Sequence, residues 1–381
     1  MSRTVGEAGQ KKMHSYYDYS LLFLIIFLVC FGLVMIYSTS SYNAQRLYDR
    51  PTFYLEKQAV FAGIGILVML FVSKIDYHLY ITKLPVIRVR PIILLYMLCM
   101  SLQVYVLIFG SVTKGSKRWI DLGGLGRFQP SELTKILVIL FTAYIVNLAP
   151  KKLDKFTGFL RVSAFIMPLI GLIVIENLST AIIVTVMLVS ICFVASRKKA
   201  YYVITGTLLA GIGSVFIFFV SYRSDRIYAW THVETADKGY QILQGLYAIA
   251  SGGIFGKGLG QSMQKLGFIP ESHNDMIFAV ICEELGLFGA IALIGLFLLL
   301  IWRIFIIAIN ATDLYGGLIA TGVLAHIAIQ VLINIAVVTN SIPSTGNTLP
   351  FISYGGSSVM VLLFEMGIVL SVSNQIKGEK G

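Results

Sequence analysis

Five windows of this 381-residue chain, Ser20 to Gln45, Pro91 to Thr113, Asn177 to Ser196, Ala200 to Tyr222 and Leu285 to Trp302, contain no Lys, Arg, Asp or Glu. A helix needs about 20 apolar residues to cross roughly 30 Å of hydrocarbon, and each window can hold such a span. Hydrophobic residues make up 57% of the chain and charged residues only 13%, and mean hydropathy is +0.81. A water-soluble domain of this length would not tolerate that balance, so the chain reads as an integral membrane protein.

Three shorter windows, Gln58 to Ser73, Ile136 to Pro150 and Val162 to Ile175, need polar ends or neighbouring residues to complete a crossing. The run from Leu314 to Phe364 has no acidic or basic residue, but the segment from Thr339 to Asn347 interrupts its hydrophobicity. It is expected to form two spans joined by a polar, uncharged loop. The fold class that results is an all-α integral membrane protein of about ten transmembrane helices packed as one polytopic domain. We expect residues 1–19 and 376–381 to be cytoplasmic tails, 20–375 to be the membrane domain, and about 221–275 to be a large extracellular loop between the seventh and eighth helices. The first apolar run follows Lys11-Lys12 but is long and lacks a small-residue cleavage site, so it reads as an uncleaved helix. Cys30, Cys99, Cys192 and Cys282 lie in or beside apolar segments without metal-ligand spacing and read as small buried hydrophobes.

An even number of spans puts both termini on one side, and Arg3, Lys11, Lys12, Lys377 and Lys380 make that side cytoplasmic. The alternating loops then place 17 of the 30 basic residues inside. The remaining 13 concentrate in two places, around Lys114, Lys117, Arg118, Arg127 and Lys135, and around Arg223, Arg226, Lys238, Lys257 and Lys265. Some of these cations are accounted for by local acids such as Asp121, Glu132, Asp225 and Asp237, or by lipid phosphates. Together they point to an anionic ligand at the outer face, for which a lipid-linked pyrophosphate fits.

Two clusters carry candidate chemistry. In the first, Lys117-Arg118-Trp119-Ile120 leads through glycines to Phe128-Gln129-Pro130-Ser131-Glu132. Pro130 and Ser131 suit a helix start, which puts Glu132 and Lys135 one turn apart as an i, i+3 ion pair. That pair serves either to hold helices together or to line a cavity. Trp119 suits an interfacial anchor.

The second cluster opens with the glycine-dense run from Gly239 to Gly260, which implies tight turns or close backbone approach. No Walker or dinucleotide pattern accompanies it. It closes on Pro270-Glu271-Ser272-His273-Asn274-Asp275, just before the hydrophobic sequence resumes. A carboxylate there loses bulk solvent on one side, which suits it to act as a base, and makes Asp275 the candidate catalytic residue. His273 has no identifiable partner and reads as a surface histidine. Glu283, Glu284 and Glu365 lie in or beside the last helices and read either as functional groups or as paired structural charges.

These motifs, with the Gly252 to Gln264 stretch, Ile277-Phe278-Ala279, Glu283-Glu284-Leu285-Gly286 and the segment from Thr345 to Ser358, closely resemble the SEDS family of RodA, FtsW and SpoVE over nearly the whole chain. The run from Gly258 to Lys265 looks like the FtsW and SpoVE version, which favours the division-associated branch over RodA-type elongation and leaves SpoVE-type sporulation as an alternative within the family. The resemblance implies ten helices and the polymerisation of lipid II into peptidoglycan glycan strands. It maps the family's essential loop aspartate onto Asp275, its Arg-Trp pair onto Arg118 and Trp119, and its fourth-helix Glu and Lys onto Glu132 and Lys135. It also implies a class B penicillin-binding protein as partner, with other divisome proteins. One motif departs: where relatives often carry Pro-Asp-Leu-Gly-Thr, this chain has Glu176-Asn177-Leu178-Ser179-Thr180.

The expected mechanism has Asp275 accept the proton of the acceptor GlcNAc 4-hydroxyl as it attacks the donor anomeric carbon and expels undecaprenyl pyrophosphate. Pyrophosphate is a competent leaving group, so one carboxylate suffices, unlike the pair of a glycosidase. Lys117, Arg118, Glu132, Lys135 and Lys265 are the candidate substrate-binding residues. A divalent cation, Mg or Mn, is the one cofactor considered, with no ligands assigned to it. The location expected is the bacterial cytoplasmic membrane with the site on the extracytoplasmic side, and no nucleic acid is expected as partner. A lipid II flippase and a noncatalytic divisome scaffold are the alternatives.

Overall fold

A computed structural model describes residues 14–15, 17–85, 88–113, 116–121, 123, 127–204, 206, 221–236 and 239–378. Among the described residues, nine helices are long and apolar enough to cross a membrane. They are α1 (Tyr19–Tyr48), α2 (Phe53–Val72), α3 (Pro91–Phe109), α4 (Pro130–Leu148), α5 (Phe156–Glu176), α6 (Leu178–Ala195), α9 (Ile277–Asn310), α10 (Leu314–Val338) and α11 (Gly356–Asn374). The window from Ala200 to Tyr222 lies largely outside the described residues, as do Lys114, Asp237, Lys238 and the basic residues Arg3, Lys11 and Lys12. The polar stretch that follows is no plain loop, for it holds two short helices, α7 (Ser221–Thr231) and α8 (Tyr240–Gly252).

The three short windows gain their length from polar ends. Helix α2 takes in Glu56 and Lys57, α4 takes in Glu132 and Lys135, and α5 takes in Arg161. Helices α4 and α11 are the central ones, with 78% and 72% of their most apolar stretch buried against 22% for α3. Because lipid tails are as apolar as leucine, helix association here rests on close packing of small residues. Gly65 on α2 and Gly367 on α11 show this reciprocally. A Cβ on the first would lie 2.6 Å from Leu363, and one on the second 2.8 Å from the Met69 carbonyl.

Between α3 and α4 the chain forms a small antiparallel sheet of β2 (Ser111–Thr113), β3 (Ser116–Asp121) and β4 (Arg127–Phe128). Hydropathy gave no sign of it, since strands this short carry no periodic signal. At the opposite end of the bundle, β1 (His14–Ser15) pairs with β5 (Lys377–Gly378), which brings the two ends of the described chain together. Asp18 caps α1 through the Leu21 amide at 2.8 Å and pairs with Arg303 at 2.7 Å.

A second clasp at that end joins three loops. His78 lies 2.7 Å from Asp76 and 3.1 Å from Asp313, and Gln375 donates to Asp76 at 2.6 Å. Burial alone would lower the proton affinity of His78, but hydrogen bonds and charge from the two aspartates raise it above the usual imidazole value.

Helix α9 is broken near its start. Gly286 sits at φ 68°, ψ −168°, a conformation essentially confined to glycine. The break frees backbone groups for the run that follows α8: the amides of Lys257 and Gly258 donate to the carbonyls of Glu283 and Glu284, and those of Leu287 and Phe288 donate to Gly253 and Ile254. A Cβ on Gly252 would lie 2.1 Å from the Cys282 carbonyl, and one on Gly256 2.2 Å from that of Glu284. Close backbone approach is therefore the role of this glycine density.

Two outcomes are expected. Gly286→Ala should cost about 2 kcal/mol or more, because it adds both a strained dihedral and a backbone clash; a thermal melt in detergent matching wild type would refute this reading of the break. The His78 clasp should stabilise fully below the ordinary imidazole pKa near 6.5 and fade as pH rises through the raised folded value. Apparent melting temperature should thus fall across that window in wild type, and the fall should be shallower in Asp313→Asn.

Candidate functional site

Asp275 closes the turn that runs from Pro270 into α9, and the three residues before it are each tied to a distant element. The Ser272 hydroxyl donates to the Thr39 carbonyl at 3.0 Å, the Tyr354 amide donates to the His273 carbonyl at 2.9 Å, and the Ser353 hydroxyl donates to the Asn274 carbonyl at 2.7 Å. Asn334, from α10, donates one amide hydrogen to the Asp275 carbonyl at 2.9 Å and the other to the Asn347 carbonyl at 2.8 Å. The half-buried Asp275 carboxylate accepts from Gln241 of α8 at 3.2 Å and lies beside Gly346, where a Cβ would be 4.0 Å from Oδ2.

His273 is buried, not at the surface as its polar neighbours in sequence suggest. It packs between Tyr54 and Tyr354, with ring centroids at 4.5 and 5.6 Å, and Nδ1 has no hydrogen-bond partner. Burial pushes its pKa down to about 4, against the pull of Glu271, so near neutral pH the ring is uncharged.

The segment 344–348 is the floor that joins the separate motifs. Arg226 of α7 donates to the Ser344 carbonyl at 3.1 Å, Ser179 to the Thr345 carbonyl at 3.4 Å, and Gln330 to the Thr348 carbonyl at 3.1 Å. Arg118, on β3, reaches the same neighbourhood by donating from Nε to the Glu176 carbonyl at 2.9 Å, three residues before Ser179. The departing motif has a clear local role. Asn177 caps α6, its side-chain oxygen accepting from the Ser179 and Thr180 amides at 3.0 and 3.4 Å. Asparagine is as good as aspartate for that purpose, so the cap survives the change.

Glu132 and Lys135 form the expected i, i+3 pair at 3.1 Å, buried in the bundle, and Lys135 also donates to Gln330 at 3.3 Å. Lys117 is exposed and donates to the Ile108 carbonyl at 2.9 Å. Lys265 is held by other partners: its buried ammonium meets Glu284 at 2.7 Å and Ser38 at 3.0 Å, both outside the 344–348 segment. Glu283 is likewise paired, with Lys257 at 2.6 Å, and Glu365 lies 2.9 Å from His326.

Among the described residues no group of three His, Cys, Asp or Glu side chains is placed to hold a metal ion. Sequence reasoning passed over Gln241, Gln330 and Asn334 as site residues. The last two were findable as lone amides in an otherwise apolar span, the kind of residue that seldom lacks a purpose at membrane depth. Thr345 Oγ1, Asn347 Nδ2 and Asn334 Oδ1, all near the floor, are buried without a partner, and such orphaned polar atoms suit a hydroxyl-rich ligand.

A multi-pass helical membrane protein with one fixed carboxylate above a polar floor at one end of the bundle is the class that these features define. The chain belongs to the family of FtsW, RodA and SpoVE, described as Cell cycle protein, which it matches over residues 19–378. It is 38% identical over 363 residues to Stage V sporulation protein E of Bacillus subtilis (strain 168), covering 93% of this chain and 96% of that protein. It is 36% identical over 366 residues to the probable peptidoglycan glycosyltransferase FtsW of Geobacter sulfurreducens (strain DL-1 / KN400), covering 95% and 96%. Among solved structures, a chain of a peptidoglycan synthase complex that coordinates polymerization and crosslinking superposes with TM-score 0.76 at 26% identity, covering 94% of this chain and 97% of that one. The rod shape determining protein RodA of Thermus thermophilus shares the fold, with TM-score 0.67 at 24% identity and coverage of 95% and 98%.

The Lys265 pair yields a stability test. Removing one member of a buried pair leaves an uncompensated charge and costs about 3–5 kcal/mol. Lys265→Met should therefore lower the apparent melting temperature sharply, and the Lys265→Met/Glu284→Gln double variant should regain part of the loss. A single variant that melts like wild type would remove Lys265 from the architecture and return it to the binding surface.

Proposed function

We propose that the protein is a peptidoglycan glycosyltransferase that polymerises lipid II into β-1,4 glycan strands in the bacterial cytoplasmic membrane, with its site on the extracytoplasmic side. The observation that carries the reading is the placement of Asp275: its backbone is fixed by Asn334, and its carboxylate lies beside Gly346 in the segment whose Ser344 carbonyl receives Arg226. Curated relatives named as peptidoglycan glycosyltransferases support it.

In this reading the acceptor GlcNAc 4-hydroxyl attacks the donor anomeric carbon and loses its proton to Asp275. The bond from that carbon to the pyrophosphate oxygen breaks, and the α-linked donor inverts to a β-linked product. Undecaprenyl pyrophosphate leaves with its charge balanced by Arg118 and Lys117, cations being worth most where water is partly excluded. A divalent cation bound to the pyrophosphate would add the same neutralisation. Glu132 and Lys135, enclosed in the bundle, act on the floor through Gln330.

Septal synthesis during division, with a class B penicillin-binding protein and other divisome proteins as partners, is the cellular role we infer. The similarity to FtsW and SpoVE relatives is nearly equal, and the Gly258 to Lys265 run, common to both, argues against RodA-type elongation only, so SpoVE-type sporulation is the alternative role within the family.

Asp275→Asn keeps the side chain's shape and removes its basicity, so glycan polymerisation from labelled lipid II should drop by about 10²- to 10⁴-fold while lipid II binding persists. The assay is run in liposomes with and without a cognate class B partner. Equal polymer from wild type and variant would remove Asp275 from the mechanism, whereas no polymer from either, with partner and divalent cation present, would shift the reading to a flippase or a scaffold.

A further inference from the structure

Helix α10 carries His326, Gln330 and Asn334 at i, i+4 and i+8, which places all three on one face of the helix. All three are buried; His326 and Gln330 bond directly, and Gln330 and Asn334 are joined through the adjacent Thr348 and Asn347 carbonyls they hold, which makes a polar ladder through an apolar bundle. His326 Nδ1 lies 2.9 Å from both Glu365 oxygens on α11, and His326 Nε2 lies 2.8 Å from Gln330 Oε1. Gln330 Oε1 also receives Lys135 of α4, while Gln330 Nε2 donates to the Thr348 carbonyl. Asn334 then holds the carbonyls of Asn347 and Asp275.

Hydrogen-bond capacity fixes every orientation in the ladder. An ammonium is a donor only, so the Gln330 atom facing Lys135 must be the oxygen. The same oxygen faces His326 Nε2, so that nitrogen must carry a hydrogen. A neutral ring protonated at Nε2 would present a bare Nδ1 lone pair to Glu365, which a carboxylate cannot satisfy. The His326–Glu365 pair therefore keeps one shared proton, as imidazolium with carboxylate or as neutral ring with carboxylic acid, and its net charge is zero either way. Loss of the Glu365 carboxyl would let the ring move its hydrogen to Nδ1 and turn a lone pair on Gln330 Oε1. Turning the Gln330 amide to relieve that contact would aim its NH₂ at the Lys135 ammonium and release Thr348.

We propose that His326, Gln330, Asn334 and Glu365 are positioning residues for the transfer reaction, a ladder that sets the Asp275 backbone and the 344–348 floor in register with the Glu132–Lys135 pair. The inference rests on the reading of Asp275 as the base. None of the four touches the reacting atoms. Their work is to hold the Asp275 carbonyl and the Asn347 and Thr348 carbonyls to one rigid helix face, since a displacement on the order of 1 Å at a reacting group can cost about 10²-fold in rate.

The test compares Glu365→Leu, Glu365→Gln and Asn334→Leu in lipid II polymerisation in liposomes, with Asp275→Asn alongside. Glutamine can donate its own amide hydrogen to Nδ1 and preserve the Nε2 hydrogen, so Glu365→Gln should stay within about threefold of wild type. The two leucine variants should lose about 10- to 100-fold in kcat with KM for lipid II unchanged, the signature of misplacement and not of lost binding. Wild-type kcat in both leucine variants, a change confined to KM, or an equal fall in Glu365→Gln and Glu365→Leu would each overturn the proposal.

Should the leucine variants fail to accumulate, ¹⁵N-histidine spectra of the wild-type protein, with His326 assigned through His326→Gln, decide the matter. A hydrogen on Nε2 is required, and a bare Nε2 overturns the ladder. Full turnover by Asp275→Asn would refute the base assignment by a separate route, leaving the spectral result to judge the ladder.

Discussion

Two adjacent carboxylates at the head of α9, Glu283 and Glu284, have no exposed surface, and the architecture of the loop end hangs on satisfying them. A buried charge without partners would cost several kcal/mol. Glu283 takes Lys257, Ser251, Ser262 and the amides of Met263 and Gln264, and Glu284 takes Lys265, Ser38 and the Ser262 amide. To bring those groups within reach, the chain after α8 must press against α9, and only glycines at 252, 256 and 286 allow two backbones to come that close. The segment that delivers Asp275 starts from this anchored base, so the carboxylates govern the site without belonging to it.

Asp275 illustrates how a membrane protein can hold a carboxylate firmly on a connection outside its helices. Such connections are ordinarily the mobile part of a structure, and rigidity has to be imported from the scaffold. Here the imports come from α1 through Thr39, from α10 through Asn334, and from the segment before α11 through Ser353 and Tyr354. Gln58 of α2 extends the same logic one step further, accepting from the Gly355 and Gly356 amides at the start of α11. The polar floor is thus braced by helices from all parts of the chain, which explains why the family motifs are scattered over most of its length.

Legibility differed by the kind of signal. The spans were readable because apolar length is a local property, and so was the Glu132–Lys135 pair, since i, i+3 spacing is enough to join two residues on a helix. Asp275 stood out because it lies where polarity ends. Gln330 and Asn334 did not, because their meaning depends on partners in α4, α11 and two loops. His273 was misread for the same reason: its neighbours in sequence are polar, but Tyr54, 219 residues before it, and Tyr354, 81 residues after it, bury it.

By itself the sequence determined that this chain crosses a membrane repeatedly and which carboxylate stands where polarity gives way to an apolar span, because hydrocarbon thickness and the cost of charge in lipid act on each segment separately. Tertiary structure alone decided which cations are held inside, as Lys265 is by Glu284, and which meet the floor, as Arg226 does. It also decided that three lone polar residues of α10 form one ladder. The physical reason is that a buried polar group takes its role from the partner that satisfies it, and those partners meet only when the helices pack.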